Sequence, residues 1–334
     1  MRINFSQCAL VILSTIFLAG NSRVSFAQSL YNAGGKNVEI KDLSPSQQQQ
    51  IFDIQFEAYE KTRMTVENMI FENHVDQEAK KQNKKPDEVV QKILDVKNPS
   101  DKDIKKWYEE NKTKIPPNLK FDDIKDKIGE VVKQEKMKSK RDELLEKLKK
   151  EQKFTFAMTK PVAPVIDVKI DGFQSKGKAD AKVTIVEFAD YQCPHCKHAA
   201  EAFKKVTDKY KDKVKFVYID FPINPSGISK LVAEASYCAA EQGKFWEFHY
   251  KAFESQATLD KDSSAKLAKD LKMDEGKFKA CVDGGATKAT VEKGRAEGER
   301  IGISGTPYIL INGRKYAGAH TVEAITAEVQ EALK

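Results

Sequence analysis

Cys193-Pro194-His195-Cys196 is the stretch of this 334-residue chain whose residue types and spacing most directly suggest chemistry. Four uses compete for such a pair. Haem attachment needs a histidine directly after the second cysteine, and Lys197 stands there. Zinc needs about four ligands; Cys193, Cys196 and His198 supply three, and no second close pair follows, so no metal is expected. An inert structural bridge has no need of a two-residue spacing at a helix start. A redox dithiol suits the placement, because the β-branched run KVTIVEFADY (182–191) ends just before the pair and a helical pattern follows it.

In that placement Cys193 sits at a helix N-terminus, where unpaired N–H groups and the helix dipole favour a thiolate. His195 can add positive charge or a hydrogen bond, and Cys196, one turn on, is the buried resolving thiol. The thiolate is both nucleophile and leaving group in disulfide exchange. Were the Cys193 pKa to fall to about 3.5, the reduced form would gain about 4.8 kcal/mol at pH 7, on the order of 100 mV in reduction potential.

The elements that must position the pair fall into two regions. From 44 to about 153 there is no cysteine, little glycine and long helical periodicity. Ser44-Pro45 is a cap followed by a first-turn proline, and the pattern predicts one long helix to about Asn83. Pro86 opens a short helix through Val96. Ser100 with Asp103 forms a capping box, and Pro116-Pro117 stops the helix it starts. A Lys- and Glu-rich helix spans Phe121 to Gln152, with Ile124, Ile128, Val131, Val132, Leu144, Leu145 and Leu148 on its apolar side; it packs against the first long helix or another subunit. After a Pro-bearing linker (154–164) the pattern becomes mixed. VIDVKI (165–170), KVTIVEFADY and VKFVYIDF (214–221) read as strands, 225–302 as mostly helical, PYILINGRKYAGA as a hairpin around Asn312-Gly313, and Val322 to Leu333 as a last helix.

Composition excludes several classes. Charged residues make up 32%, aromatics 9%, and the formal net charge is +7. That suits a folded globular protein, and no basic stripe interleaved with aromatics suggests nucleic acid. Residues 1–27 read as a secretory signal: Arg2, the apolar Cys8 to Gly20, and Ser25-Phe26-Ala27 before Gln28. A mature protein in an exported compartment, the periplasm of a Gram-negative bacterium, is expected. Cys8 leaves with the signal, and an even four cysteines in an oxidising space suggest disulfides.

Residues 165–334 resemble the DsbA-like branch of the thioredoxin superfamily. The likeness rests on VTIVEFADYQCPHC, AEASYCAAEQGKFWEFHYKAF and GISGTPYILING in this order. It implies an α/β thioredoxin fold with a helical insertion between the third and fourth strands, preceded by an all-α N-terminal region. Cys-Pro-His-Cys matches the oxidising members. The resemblance makes Thr306-Pro307 the family's cis-proline, whose backbone pairs with substrate. It makes Glu187 the buried acid relaying a proton to Cys196; a partly exposed strand carboxylate is the alternative. It suggests that Cys238 and Cys281, in the helical insertion, form a second, structural disulfide; two buried thiols are the alternative. Tyr191 is expected to line the substrate surface, His198 to lie on the outer face of the active-site helix, and Phe245, Trp246 and Phe248 to be helix core.

Residues 45 to 158 resemble, more weakly, the N-terminal arm of SurA-like periplasmic chaperones, in EAKKQNKKPDEVVQKIL and SDKDIKKWYEENK. No parvulin domain follows. The arm is a client-holding or an oligomerisation module.

The expected organisation is a signal (1–27), a helical domain (28–158) and a DsbA-like domain (159–334). The expected activity is oxidation of reduced exported proteins, with no cofactor and a membrane redox partner of DsbB or VKOR type. The alternatives are a disulfide isomerase or reductase acting as an oligomer, and a non-enzymatic holdase.

Overall fold

The structure, a computed structural model, describes residues 30–111, 115 and 119–334. The signal reading falls outside them, as do Pro116 and Pro117. Tyr31–Ala33 (β1) and Lys36–Val38 (β2) form a small antiparallel hairpin.

Four helices follow: Pro45–Gln82 (α1), Pro86–Ile93 (α2), Asp101–Asn111 (α3) and Phe121–Glu151 (α4). Their ends are written locally. The Ser44 hydroxyl accepts from Gln47 N and the Gln47 side chain returns to Ser44 N, closing a capping box on α1. Asn83 ends α1 in the left-handed region. Ser100 and Asp103 make the same reciprocal pair at α3. Tertiary packing is thin: Val89 of α2 meets Phe71, Val75 and Ala79 of α1, Ile70 meets Leu145 and Leu148 of α4, and Ile104 of α3 meets Ile128 and Val132. α4 thus lies on the first long helix of its own chain, with Lys149 Nζ 3.1 Å from Glu67 Oε1. Val131 departs from the expected apolar stripe and is exposed, because α4 faces its partners with Ile128, Val132 and Leu145.

The second region is a five-stranded sheet in the order β3-β5-β4-β6-β7. It comprises Gln174–Gly177 (β3), Val183–Ala189 (β4), Val214–Asp220 (β5), Tyr308–Ile311 (β6) and Arg314–Lys315 (β7). β4 and β5 are parallel, joined by Pro194–Lys209 (α5); β6 runs antiparallel to β4. Between β5 and β6 lie Ile228–Ala240 (α6), Phe245–Glu254 (α7), Ser263–Asp270 (α8), Glu275–Gly284 (α9) and Lys288–Arg300 (α10); Val322–Leu333 (α11) follows β7. This is the α/β thioredoxin-like fold with its helical insertion. Asn312 (φ 48°) and Gly313 (φ 75°) turn the β6–β7 hairpin in the two left-handed positions that a type I′ turn requires.

VIDVKI is not a strand, and the edge strand is instead Gln174–Gly177. The run from 165 is tied down by other bonds: Ile166 N donates to Gly313 O at 2.8 Å and Lys169 N to Glu297 Oε1 at 2.7 Å. Its buried side chains pack without a neighbouring ladder.

The two regions meet at the start of α1. Gly302 (φ 84°) lies so close to Ser46 that a Cβ would stand 2.8 Å from the Ser46 Cβ. Asp53 Oδ1 accepts from Lys315 Nζ at 2.7 Å and from Gln49 Nε2 at 2.9 Å. Tyr59 meets Phe156 edge to face.

Candidate functional site: a dithiol at a helix start

Buried Ile185, Val186 and Phe188 hold β4 in the middle of the sheet, and the chain leaves it at Asp190. The Asp190 carboxylate accepts from Ile223 N at 2.7 Å, from Asn224 N at 2.9 Å and from the Ser229 hydroxyl. Gln192 Oε1 accepts from the Ser226 hydroxyl at 2.6 Å and from Ser229 Oγ at 3.0 Å. Gln256, just after α7, reaches across with its amide and donates to the carbonyls of Tyr191 (2.8 Å) and Cys193 (2.9 Å). The loop entering the dithiol is therefore fixed from the helical insertion on two sides.

Cys193 is the N-cap of α5 and Pro194 its first residue, where a missing N–H costs nothing. The buried face of α5 runs through Cys196, Ala199, Ala200, Phe203 and Val206 at helical spacing, with Phe203 stacked on Phe216 of β5. This anchors the helix whose first turn carries the chemistry. Both thiols are free. Cys193 is partly exposed and Cys196 fully buried.

Electrostatics separate the two sulfurs. The Cys196 side chain, the Thr306 side chain and the backbone N–H groups of Cys196 and His195 lower the Cys193 thiol to about 6 against the opposing effect of burial. Burial and the neighbouring Cys193 and Glu187 drive the Cys196 thiol far up. A thiolate at neutral pH therefore sits on Cys193 and a proton on Cys196. His195 is exposed, acts on Cys193 through its backbone N–H, and stands near His320.

Thr306-Pro307 is a cis peptide. When protonated, the Cys193 thiol donates to the Thr306 carbonyl at 3.2 Å, so this backbone lies directly beside the reactive sulfur. Glu187 on β4 is wholly buried, and burial followed by the nearby Cys193 raises its carboxyl to about 8. Cys238 of α6 and Cys281 of α9 are bonded across 43 residues.

Tyr191 is placed differently from the expectation. It is 1% exposed, its hydroxyl 3.2 Å from His249 Nδ1 and its ring against Phe253 and Tyr218. The aromatic residues of α7 need a large flat partner, and Tyr191 supplies it; it fixes the loop and presents nothing to a substrate. Phe245 and Phe248 are core, with Trp246 packed beside them. His198 is half-buried on α5. Gln256 and Asp190 went unnoticed in the sequence, where a lone Gln after a helix and an Asp at a strand end are too common to mark a site.

A dithiol at a helix start, beside a cis-proline loop on a five-stranded sheet, defines the thioredoxin-like class. Residues 173–331 match the family model described as Thioredoxin. Disulfide bond formation protein D of Bacillus subtilis is 31% identical over 176 residues, covering 49% of this chain and 79% of that protein. The chain belongs to the DsbA-like family of thioredoxin-like thiol:disulfide oxidoreductases.

The Na(+)/H(+) antiporter NhaA of Herminiimonas arsenicoxydans is 30% identical over 167 residues, half of this chain. The match spans only about a quarter (26%) of that antiporter, and no helix among the described residues is long and apolar enough to cross a membrane. Oxidised BdbD of Bacillus subtilis superposes with a TM-score of 0.47 at 29% identity, covering 52% of this chain and 98% of that one.

Proposed function

We propose that the chain is an exported thiol:disulfide oxidoreductase that introduces disulfide bonds into reduced proteins. The observation that carries this reading is the split between the two sulfurs: a Cys193 thiol lowered to about 6 above a Cys196 thiol held protonated. A client thiolate attacks Cys193 Sγ of the oxidised pair. The Cys193–Cys196 bond breaks, Cys196 leaves with its electron pair, and Glu187 gives it a proton. The client's second thiolate then attacks the client sulfur of the mixed disulfide. Cys193 leaves as a thiolate, and the protein has gained two electrons. Thr306, beside Pro307, offers its backbone to the client strand. Gln256, Asp190 and Tyr191 hold the loop that aims Cys193.

The size of the thiol shift sets the direction. A pKa near 6 rather than 9 favours the reduced form at pH 7 by about 1.4 kcal/mol, or about 30 mV. That leans the pair toward donating its disulfide, less steeply than the pKa near 3.5 supposed from the motif. Reoxidation then falls to an electron acceptor in the membrane of the DsbB or VKOR type.

The organisation proposed with it is a cleaved signal at 1–27, a helical arm at 28–158 and the redox domain at 159–334, in the periplasm. Exposed Ile54, Met64, Met69, Val131 and Met158 on and beside the arm favour a surface that holds unfolded clients. A groove of about 400 Å³ lined by Ile51, Phe52, Val162 and Val165 supports the same reading.

Oxidised protein mixed with a reduced, unfolded client in stoichiometric amounts tests the activity. The client should lose two thiols per dithiol, and Cys193→Ser should transfer none. Equal transfer by the variant contradicts the proposal, and aggregation suppression without any thiol transfer would make the protein a holdase.

A further inference from the structure

The Thr306 carbonyl, 3.2 Å from Cys193 Sγ, belongs to a loop, residues 301–307, that joins α10 to β6. The helical arm touches this loop at both ends. Near its start, Gly302 lies against Ser46 in the first turn of α1; an added Cβ would stand 2.8 Å from the Ser46 Cβ and 3.0 Å from its Cα. Just past its end, the buried Tyr308 ring lies under Lys315, whose Nζ is 5.2 Å from the ring centroid. Lys315 stands opposite Leu310 in the β6–β7 register, so it and Tyr308 are diagonal neighbours on one face. The ammonium is held from α1: Asp53 Oδ1 accepts from it at 2.7 Å and from Gln49 Nε2 at 2.9 Å. Gln49 is 2% exposed, so the amide that steadies the Asp53 carboxylate is itself locked by packing. Ser46, Gln49 and Asp53 all lie outside the matched region, residues 173–331.

We propose that Asp53 is a positioning residue for the exchange: through Lys315 and Tyr308 it holds the Thr306 backbone where a client strand can pair with it beside Cys193. The inference rests on the oxidoreductase reading above and deepens it, since it makes the start of the arm part of what shapes the client site.

The consequence is a split between clients and small thiols. A client pairs with the Thr306 backbone as its thiolate reaches Cys193. Mercaptoethanol makes no such pairing and attacks the disulfide directly. A loosened loop therefore weakens the capture of a client and leaves the sulfur chemistry, set by the start of α5, as it was. Asp53 is about half-exposed and Lys315 a quarter exposed. A pair so placed carries a modest effect, so the expected change is severalfold.

The test is single-turnover reduction of the oxidised full chain by a concentration series of a short peptide dithiol, and by mercaptoethanol. Asp53→Ala, and the isosteric Asp53→Asn, should raise the half-saturating peptide concentration by about threefold to fivefold and leave the limiting rate unchanged. Lys315→Ala should do the same. The double variant should be no worse than the worse single one, because the two side chains act as a unit. Glu57→Gln, which removes an α1 carboxylate paired with Lys61 on the same helix, should match wild type. Equal half-saturation in wild type and both Asp53 variants overturns the inference. So does a double variant whose loss is the product of the two single losses, and so does a slowing that mercaptoethanol shares, which marks general damage. An effect on a long unfolded client without one on the short peptide overturns it as well, for the arm would then hold clients itself and leave the loop alone. Failure of wild type to react with either reductant overturns the oxidoreductase reading itself.

Discussion

The helical region and the α/β region are built from the same alphabet but held together differently. Around the sheet one continuous core joins β4, β5 and β6 to α5–α11, with Phe188, Phe203, Phe216 and Phe248 fully enclosed. Among the described residues the helical region has three separate clusters of three or four buried residues each. Its surfaces are laced by pairs such as Arg63 with Glu60 and Glu67, each contributing little in water. The dithiol needs sulfurs, carbonyl and carboxyl fixed relative to one another, and it sits where packing is deepest. A client-holding surface, as proposed for the helical region, would tolerate a thinner core.

The largest expected effect that sharpens this contrast is chemical. Cys196→Ser leaves the reactive sulfur in place and removes the resolving one, so mixed disulfides between Cys193 and clients should accumulate on non-reducing gels. Variants of the helical region should not produce them.

Next comes packing. Phe203→Ala should cost about 3–5 kcal/mol in denaturant unfolding of the α/β region, and should slow dithiol exchange because α5 loses its anchor. Leu145→Ala should melt the helical region alone and leave exchange with a small thiol unchanged. Loss of exchange in Leu145→Ala would break the comparison, since the regions would then fold as one unit.

Removing the Cys238–Cys281 bridge with a pair of alanines should destabilise the α/β region by about 2–4 kcal/mol. The reduction potential of Cys193–Cys196 should stay where it was.

The smallest effect is in pH. Glu187 is raised in the folded protein by burial, to about 8. Between the ordinary carboxylate range and about 8 the folded state therefore holds a proton that the unfolded chain has released, and stability falls as pH rises through that window. Glu187→Gln should flatten this fall and change little at pH 4. In the helical region Glu57, Glu78 and Asp103 move the other way, each through its lysine partner first: Lys61, Lys81 and Lys136. Their support is present above the carboxylate range and is lost as pH falls, toward about 2 for Asp103. Thermal melts at several pH values should show the two regions trending oppositely.

Much of this was legible in the residues because local chemistry wrote it. Ser44, Asn83 and Ser100 mark helix ends by their own hydrogen bonds, and Asn312-Gly313 marks its turn by backbone preference. The β4 and β5 runs are apolar because both faces are buried. The edge strand was missed for the opposite reason: Gln174–Gly177 has weak strand preference and is held by its pairing with β5. Tyr191 takes its place from a side chain, and Gln256 from backbone carbonyls, more than 50 residues away, and no local pattern encodes that. The joint of Asp53 with Lys315, 262 residues apart, is of the same kind.

The central claim is that the environment of Cys193 and Cys196 makes this dithiol a donor of disulfides. Equilibration of the mature protein with glutathione buffers, read by alkylation of Cys193, gives its reduction potential. The account predicts a value above that of thioredoxin, about −270 mV, and toward the oxidising end near −120 mV. A value at or below about −270 mV would contradict it, for the pair would then rest reduced and the protein would work as a reductase or isomerase.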